Sequence, residues 1–386
     1  MIKHSQYFTE EIYSTSLVSV IDTNDVDNIL ELGIGDGALS YASLLRWPHA
    51  NITAFDIDEN ICNKYTNDKQ IKVTKEDVLS DKFHVNDAFK KYDLAICNPP
   101  FLRMQKRIHF DTLFEKANLI ECKQIKQLTT ELLFLTLNLI YIKSGGCCAI
   151  ILPDGPLTRV DYKPFRSALL KNYRVSKIVE LPEKSFRGTE ARTHILIIHK
   201  QVPTNCCTEL SLMGKDGSIA DTLLLQQNEL VHRMDYTYNK WRDITNLDSS
   251  YQILPICIKR GSYMYKELRG SNYIYLHSTS YSDGDLLRLE KWDHSHLSNK
   301  VIAVAGDIIM CRVGKRCVGK IGYIESGAAI LSDCLYKISV PKAISKKIFK
   351  LLCNKQSKEW VQISSHGVCS KVISKTDLLD YLKTLV

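Results

Sequence analysis

Asn98-Pro99-Pro100-Phe101 is the stretch of this chain best equipped for chemistry. An asparagine side-chain oxygen beside a prolyl carbonyl offers two acceptors that can hold both hydrogens of one exocyclic NH2 group. Holding them draws the nitrogen lone pair out of conjugation with a ring and aims it at an electrophile, through orientation and placed dipoles. Phe101 adds a flat face on which a planar base can stack. Residue types alone leave open a rigid, proline-rich turn after a core strand, so the surrounding elements have to decide.

The run Tyr92 to Cys97 ahead of the motif reads as a buried parallel strand. Two prolines then force an extended loop at its C-terminal end, the edge of an open α/β sheet at which ligands bind. Upstream, Asp27 to Leu32 reads as a strand, Gly33-Ile34-Gly35-Asp36-Gly37 as a glycine-rich turn and Ala38 to Leu45 as a helix. Such glycines let a ligand approach the backbone, although the pattern by itself also suits a tight turn. The strand Asn51 to Asp56 places Asp56 and Asp58 roughly twenty residues past the glycines, where a carboxylate can grip a pair of ribose hydroxyls. A third strand, Ile71 to Thr74, delivers Glu76, Asp77 and Val78 to the same edge. Asp77 suits an adenine amine and Val78 the ring; Asp77 also suits a helix N-cap.

Past the motif, Arg103, Lys106, Arg107 and His109 make a basic loop fit for a backbone phosphate or for a mobile surface. A helix over Gln127 to Ile142 is followed by a strand over Cys147 to Leu152, a helix over Pro164 to Leu170, and strands over Val175 to Glu180 and Thr193 to His199. This alternation predicts an α/β fold with a doubly wound, mostly parallel sheet over residues 1–205. Residues 206–248 read as a linker with a helix near Asp221 to Leu230, and residues 249–386 as a smaller α/β domain of short strands, turns and two helical pieces.

Composition narrows the partners. Of the net charge of +8, residues 1–250 carry 30 Lys and Arg against 32 Asp and Glu, and residues 251–386 carry 21 against 11. The positive potential therefore lies in the C-terminal third and suits a phosphate-bearing partner there. The 13 cysteines contain no Cys-x-x-Cys pair, so neither a metal site nor a disulfide framework is expected. No apolar run is long enough to span a bilayer, and a cytoplasmic protein with no membrane partner is expected.

The ordered series Tyr7-Phe8-Thr9, Glu31-Leu32-Gly33-Ile34-Gly35, Asp56-Ile57-Asp58, Glu76-Asp77-Val78-Leu79, Asn98-Pro99-Pro100-Phe101 and Gly145-Gly146 through Pro153 resembles the γ-class N6-adenine DNA methyltransferases, including type I modification subunits. The resemblance covers about the first 200 residues of the sequence. It implies a Rossmann-like class I methyltransferase domain with a seven-stranded sheet, S-adenosyl-L-methionine as cofactor, and an adenine rotated out of double-stranded DNA as acceptor. Under it Tyr7, Phe8, Thr9, Glu31, Gly33 and Gly35 hold the methionine end, Asp56 the ribose, and Asp77 with Val78 the cofactor adenine. Asn98 and Pro99 bind the target amine, with Pro100 completing the catalytic motif, Phe101 stacks on the target ring, and Phe186 is a second stacking ring. Arg103 and Lys106 would meet DNA phosphates.

The C-terminal part resembles the target-recognition domains of type I specificity subunits. Gly306-Asp307-Ile308-Ile309, ending in Arg312-Val313-Gly314, is one shared stretch, and Gly367 to Leu378 is the other. Lys315, Arg316 and Lys320 are its candidate phosphate contacts, and Tyr263, Tyr265, Tyr273 and Tyr275 its candidate base contacts. Three readings stand at this stage: an adenine-specific DNA methyltransferase, a methyltransferase acting on RNA or on a protein glutamine through the same motif, and a non-catalytic DNA-binding assembly subunit. A cognate restriction endonuclease or specificity subunit fits the first, which would work as a monomer or homodimer; DNA cleavage by this chain is not expected.

Overall fold

The computed structural model describes residues 11–83, 92–182, 185–186, 192–244, 255–294, 297, 300–367 and 370–385. The chain divides into two compact units, Met1–Lys240 and Trp241–Val386.

The first unit is built on a nine-stranded sheet. Its strands are β1 (Asn28–Leu32), β2 (Asn51–Asp56), β3 (Ile71–Lys75), β4 (Tyr92–Cys97), β5 (Ile142–Pro153), β6 (Arg174–Glu180), β7 (Thr193–His199), β8 (Cys207–Met213) and β9 (Ile219–Gln226). Their order across the sheet is β9-β8-β6-β7-β5-β4-β1-β2-β3. The neighbours from β3 to β5 run parallel, and β7 runs antiparallel between β5 and β6. All six residues of β4 and all seven of β7 are buried, as expected of strands covered on both faces, which read as unbroken apolar runs.

Side-chain alternation sends the strands into two cores. Leu30, Leu32, Ala95 and Cys97 join the helices α4 (Thr130–Tyr141) and α5 (Lys163–Asn172) on one face. Ile29, Leu94 and Ile96 join α1 (Glu11–Ser19) and α2 (Ala38–Arg46) on the other. Between β4 and α4 lies α3 (Ile108–Lys116), which buries Phe110 and Phe114. Every residue of α4 is buried.

The seven expected strands are present as β1 to β7, and the described part of the stretch read as a linker, residues 206–244, folds into defined elements. Its first part forms β8, parallel to β6, and β9, antiparallel to β8. The helix expected near Asp221 to Leu230 is β9 followed by a short 3-10 turn over Gln227–Val231. Leucine and glutamine favour helices in isolation, yet here Leu223 and Leu225 alternate onto the core, and strand pairing overrides local propensity. The same segment is fastened by buried polar groups. Gln227 accepts from the Val175 amide at 2.9 Å and donates to the carbonyls of Leu170 and Tyr173 at 2.7 and 2.8 Å. Arg166, 1% exposed, donates to the carbonyls of Val231 and His232.

The second unit holds a five-stranded sheet made of β10 (Cys257–Arg260), β11 (Asp285–Arg288), β12 (Ile308–Cys311), β13 (Ile321–Ser326) and β14 (Leu335–Ser339), in the order β10-β14-β12-β13-β11. A three-stranded sheet pairs Ala328–Leu331 with Tyr275–Leu276 and Ile302–Val304. The helices α6 (Lys342–Leu352), α7 (Lys355–Ser364) and α8 (Lys375–Thr384) complete it. The Trp360 and Tyr381 rings stack at 4.2 Å in its core. The stretches 306–314 and 367–378 meet: the Ile373 amide donates to the Arg312 carbonyl at 3.0 Å, and that of Gly314 to Lys371 at 2.9 Å.

Because buried partners tie β8 and β9 to the first unit, a fragment ending at residue 240 is expected to melt cooperatively. One ending at 205 would leave the Val175 amide and the Leu170 and Tyr173 carbonyls without their Gln227 partner and lose about 3 kcal/mol or more. Thermal unfolding of the two fragments checks this; equal midpoints would contradict it.

Candidate active site

The C-terminal ends of β1, β2, β3 and β4 converge on one cavity of about 380 Å³. Its wall includes Glu31, Gly33 and Gly35 from the β1 turn, Asp56 from β2, Asp77, Val78 and Leu79 beyond β3, and Asn98 and Pro100 beyond β4. Eight residues expected for the site thus share one space: Glu31, Gly33, Gly35, Asp56, Asp77, Val78, Asn98 and Pro100.

Hydrogen bonds shape the glycine turn. The Gly33 amide donates to the Phe55 carbonyl at 2.8 Å, and the Gly35 amide to Asp56 Oδ2 at 3.0 Å, while Asp56 Oδ1 accepts from the Asp58 amide at 3.0 Å. Asp56 therefore fixes the turn and still lines the cavity with a carboxylate. Gly37 has φ of 77°, and a Cβ there would stand 2.5 Å from the Tyr65 hydroxyl oxygen, so this position needs glycine twice over.

Glu31 is 2% exposed and accepts from the Ser40 hydroxyl. Burial, with the nearby Asp56 charge adding to it and the Ser40 bond opposing, lifts its carboxyl to about 8. Without a cation beside it, Glu31 is thus largely protonated at neutral pH. Asp77 accepts from the Leu79 amide at 3.0 Å through Oδ1, so it closes a local turn as well as lining the cavity.

The loop leaving β4 is held from outside. Pro99 and Pro100 carry no N–H, and Thr130, at the start of α4, supplies the missing fastening. Its hydroxyl donates to the Pro100 carbonyl and accepts from the Leu102 amide at 3.0 Å, and its own amide donates to the Leu102 carbonyl at 2.9 Å. Thr130, Phe134 and Arg107 line the cavity and were not among the expected site residues. Thr130 lies thirty positions from its partner Pro100, beyond the reach of a local motif. Arg107 lay within the basic loop, but nothing in that loop's composition distinguished it from its neighbours.

Other expected residues lie elsewhere. Tyr7, Phe8 and Thr9 are outside the described residues. Pro99 is buried and Phe101 packs, half-buried, on the core beneath α1 and α2; neither is in the cavity wall. Phe186 is 2% exposed, with its ring 5.6 Å from that of Tyr13, so it is a core residue without a free face for a base. Arg103 is exposed on a two-residue strand paired with Leu128–Thr129, and Lys106 is occupied by Asp111 at 3.2 Å and the Lys123 carbonyl at 2.8 Å. In the second unit Lys315 and Arg316 are exposed. Lys320 donates inward to the Ser278 and Tyr281 carbonyls, which makes it a structural cation and corrects its expected phosphate role.

Among the described residues, Asp22, Cys147 and His199 bring donor atoms within 4.8 Å of one another. They sit toward the opposite end of β7 from the cavity, where Asp22 and His199 already satisfy each other at 2.8 Å. Burial opposes ionisation of Asp22, but the His199 bond and charge outweigh it and hold the carboxyl at about 2.

Thr130→Val removes a donor and an acceptor while keeping the shape. The Leu102 amide is then expected to exchange its hydrogen ten- to a hundredfold faster, a loss of about 1–3 kcal/mol locally. Hydrogen-exchange mass spectrometry over residues 98–104 checks this; unchanged protection would remove Thr130 as the fastening.

The N-6 DNA Methylase family matches residues 55–253, just over half of the chain. Type II methyltransferase M.AccI from Acinetobacter calcoaceticus is 28% identical over 180 residues, covering 46% of this chain and 33% of that protein. A tRNA1(Val) (adenine(37)-N6)-methyltransferase from Vibrio vulnificus (strain CMCP6) is 29% identical over 121 residues, 27% of this chain and 48% of that protein. This chain thus spans a third of the first relative's length and about half of the second's. The crystal structure of the type IIG restriction endonuclease BpuSI shares the fold at a TM-score of 0.51 and 13% identity, covering 95% of this chain and 57% of that one. No helix among the described residues is long and apolar enough to cross a membrane. With its glycine turn, acidic strand ends and Asn-Pro-Pro loop around one cavity, the chain belongs to the N-6 DNA methylase family.

Proposed function

We propose that this chain is a site-specific DNA methyltransferase that modifies the N6 amine of an adenine rotated out of the duplex, in a restriction–modification system or as an orphan enzyme. The observation that carries the reading is that Asn98 and Pro100 share one cavity with Glu31, Gly33, Gly35, Asp56 and Asp77. Asn98, one of the two proposed acceptors for an amine, thereby lines the same space as a donor set that suits a nucleoside bearing an amino acid.

That site fits S-adenosylmethionine. Glu31 and the Gly33–Gly35 turn would hold the methionine end, Asp56 the ribose hydroxyls, and Asp77 the adenine amine against Val78. When bound, this cofactor supplies an electrophilic methyl group. The chain's own part is to orient: the Asn98 side-chain oxygen and the Pro99 carbonyl accept the two amine hydrogens and stabilise positive charge as it develops on nitrogen. Rotating the base out of the stack costs about a few kcal/mol, drawn from the DNA contacts. The second unit, with its surplus of positive charge and its exposed Lys315 and Arg316, is the candidate reader of the target sequence, and a cognate endonuclease or specificity subunit the candidate partner.

A tRNA substrate is the second reading, favoured by the similarity to tRNA adenine methyltransferases, which covers 27% of this chain. The family matched over 55–253 favours DNA.

Asn98→Ala is expected to lower the methyl-transfer rate about a hundredfold or more while leaving cofactor affinity within a few-fold, as for loss of a placed transition-state acceptor. A near-parent rate in a single-turnover assay would refute the amine clamp. Glu31 gives a pH prediction. Its carboxyl is raised, so ionising it costs the ligand-free fold as pH rises from its ordinary value toward about 8. A bound ammonium reverses that preference, so cofactor affinity should fall up to about tenfold per unit as pH drops from 7.5 to 6, and Glu31→Gln should flatten the profile. Isothermal titration across that range measures it; a pH-independent parent would exclude Glu31 as the ammonium partner. Neutralising Lys315 and Arg316 together should reduce the slope of log affinity against log salt by roughly two. An unchanged slope would take them out of the DNA interface.

A further inference from the structure

The loop from Leu102 to His109 carries a side chain that the proposed chemistry does not use. Leu102, Met104 and Arg107 line the cavity. His109 lies against the cavity wall, with Nε2 3.2 Å from the carbonyl oxygen of Leu79. Between Arg107 and His109 stands Ile108, 92% exposed. An isolated exposed aliphatic side chain is ordinary. This one stands between a residue that lines the cavity and one bonded to its wall, within five positions of Arg103, Lys106 and Arg107.

The loop is not slack. Arg103–Met104 pairs with Leu128–Thr129, Lys106 bridges to Asp111 and to the Lys123 carbonyl, and Gln127 donates to the Met104 carbonyl at 3.3 Å. Behind Ile108, Phe110 and Phe114 are fully buried and fix the helix that starts there. The fold therefore spends rigid structure on keeping an apolar side chain in water beside the place where a base would enter.

We propose that Ile108 is the wedge that occupies the base stack when the target base leaves it. The proposal rests on the DNA reading above. Extrusion of a base opens an apolar gap between its neighbours, and side chains such as isoleucine fill gaps of this kind in DNA-bending proteins. The exposed Arg103 and Arg107 lie where cations would meet phosphates beside such a gap. Ile108 is a positioning residue: it acts on the open state of the duplex and touches no reacting atom.

The test uses the full chain, Ile108→Ala, and oligonucleotide duplexes cut from the sequence that the parent methylates in bacterial genomic DNA. Single-turnover methyl transfer is measured on the paired duplex and on one with a mismatched base opposite the target. Ile108→Ala is expected to slow transfer about tenfold on the paired duplex and to stay within about twofold of the parent on the mismatched one, whose target base is already easier to extrude. The fluorescence of 2-aminopurine at the target position should fall on the paired duplex in parallel. Equal loss on both duplexes, or no loss on the paired one, overturns the wedge while leaving the DNA reading intact. A parent that labels no DNA overturns the DNA reading and the wedge with it. Because Ile108 is exposed, the variant is expected to keep the parent's melting temperature, which is read in the same preparation.

Discussion

The site depends on how a loop without amide donors is held still. Pro99 and Pro100 leave β4 in an extended conformation but cannot donate to any neighbouring strand, so the loop cannot be secured by its own backbone ladder. Thr130 does this from the next helix, donating to Pro100 and accepting from Leu102. The helix that carries it is buried along its whole length, so the anchor is set by the core rather than by the loop. Asn98 thereby gains a fixed frame on both sides: β4 before it and the Thr130 fastening after it.

The rest of the cavity follows from parallel strand geometry. Three neighbouring strands end on the same edge, so three acidic positions, Glu31, Asp56 and Asp77, meet in one largely apolar space. Asp56 is held in place by the Gly35 and Asp58 amides, and Glu31 is driven toward the neutral form by burial. A carboxyl kept neutral in the empty site must give up its proton to pair with a cation, so the proton competes with a bound ammonium.

Much of this was legible in the amino-acid order. Apolar runs located β4 and β7, because strands covered on both faces need no polar alternation, and the residues just past β1 to β4 had to share an edge once the sheet was parallel. What stayed illegible depended on distant partners. Thr130 gains meaning only from a loop thirty residues away. The stretch Ile219–Gln226 has the composition of a helix and becomes a strand because β8 pairs with it. Aromatic and cationic residues misled for a related reason: Phe186 is needed by the core and Lys320 by two carbonyls, uses that residue type alone does not separate from stacking or phosphate contact.

The central claim is that the amine held at Asn98 belongs to an adenine in DNA. Its most direct test is transfer of a labelled methyl group from S-adenosylmethionine to unmethylated genomic DNA, with the modified base identified and its sequence context mapped. N6-methyladenine confined to one short sequence is the predicted result. Label on RNA or protein, with DNA left unmodified, would contradict it.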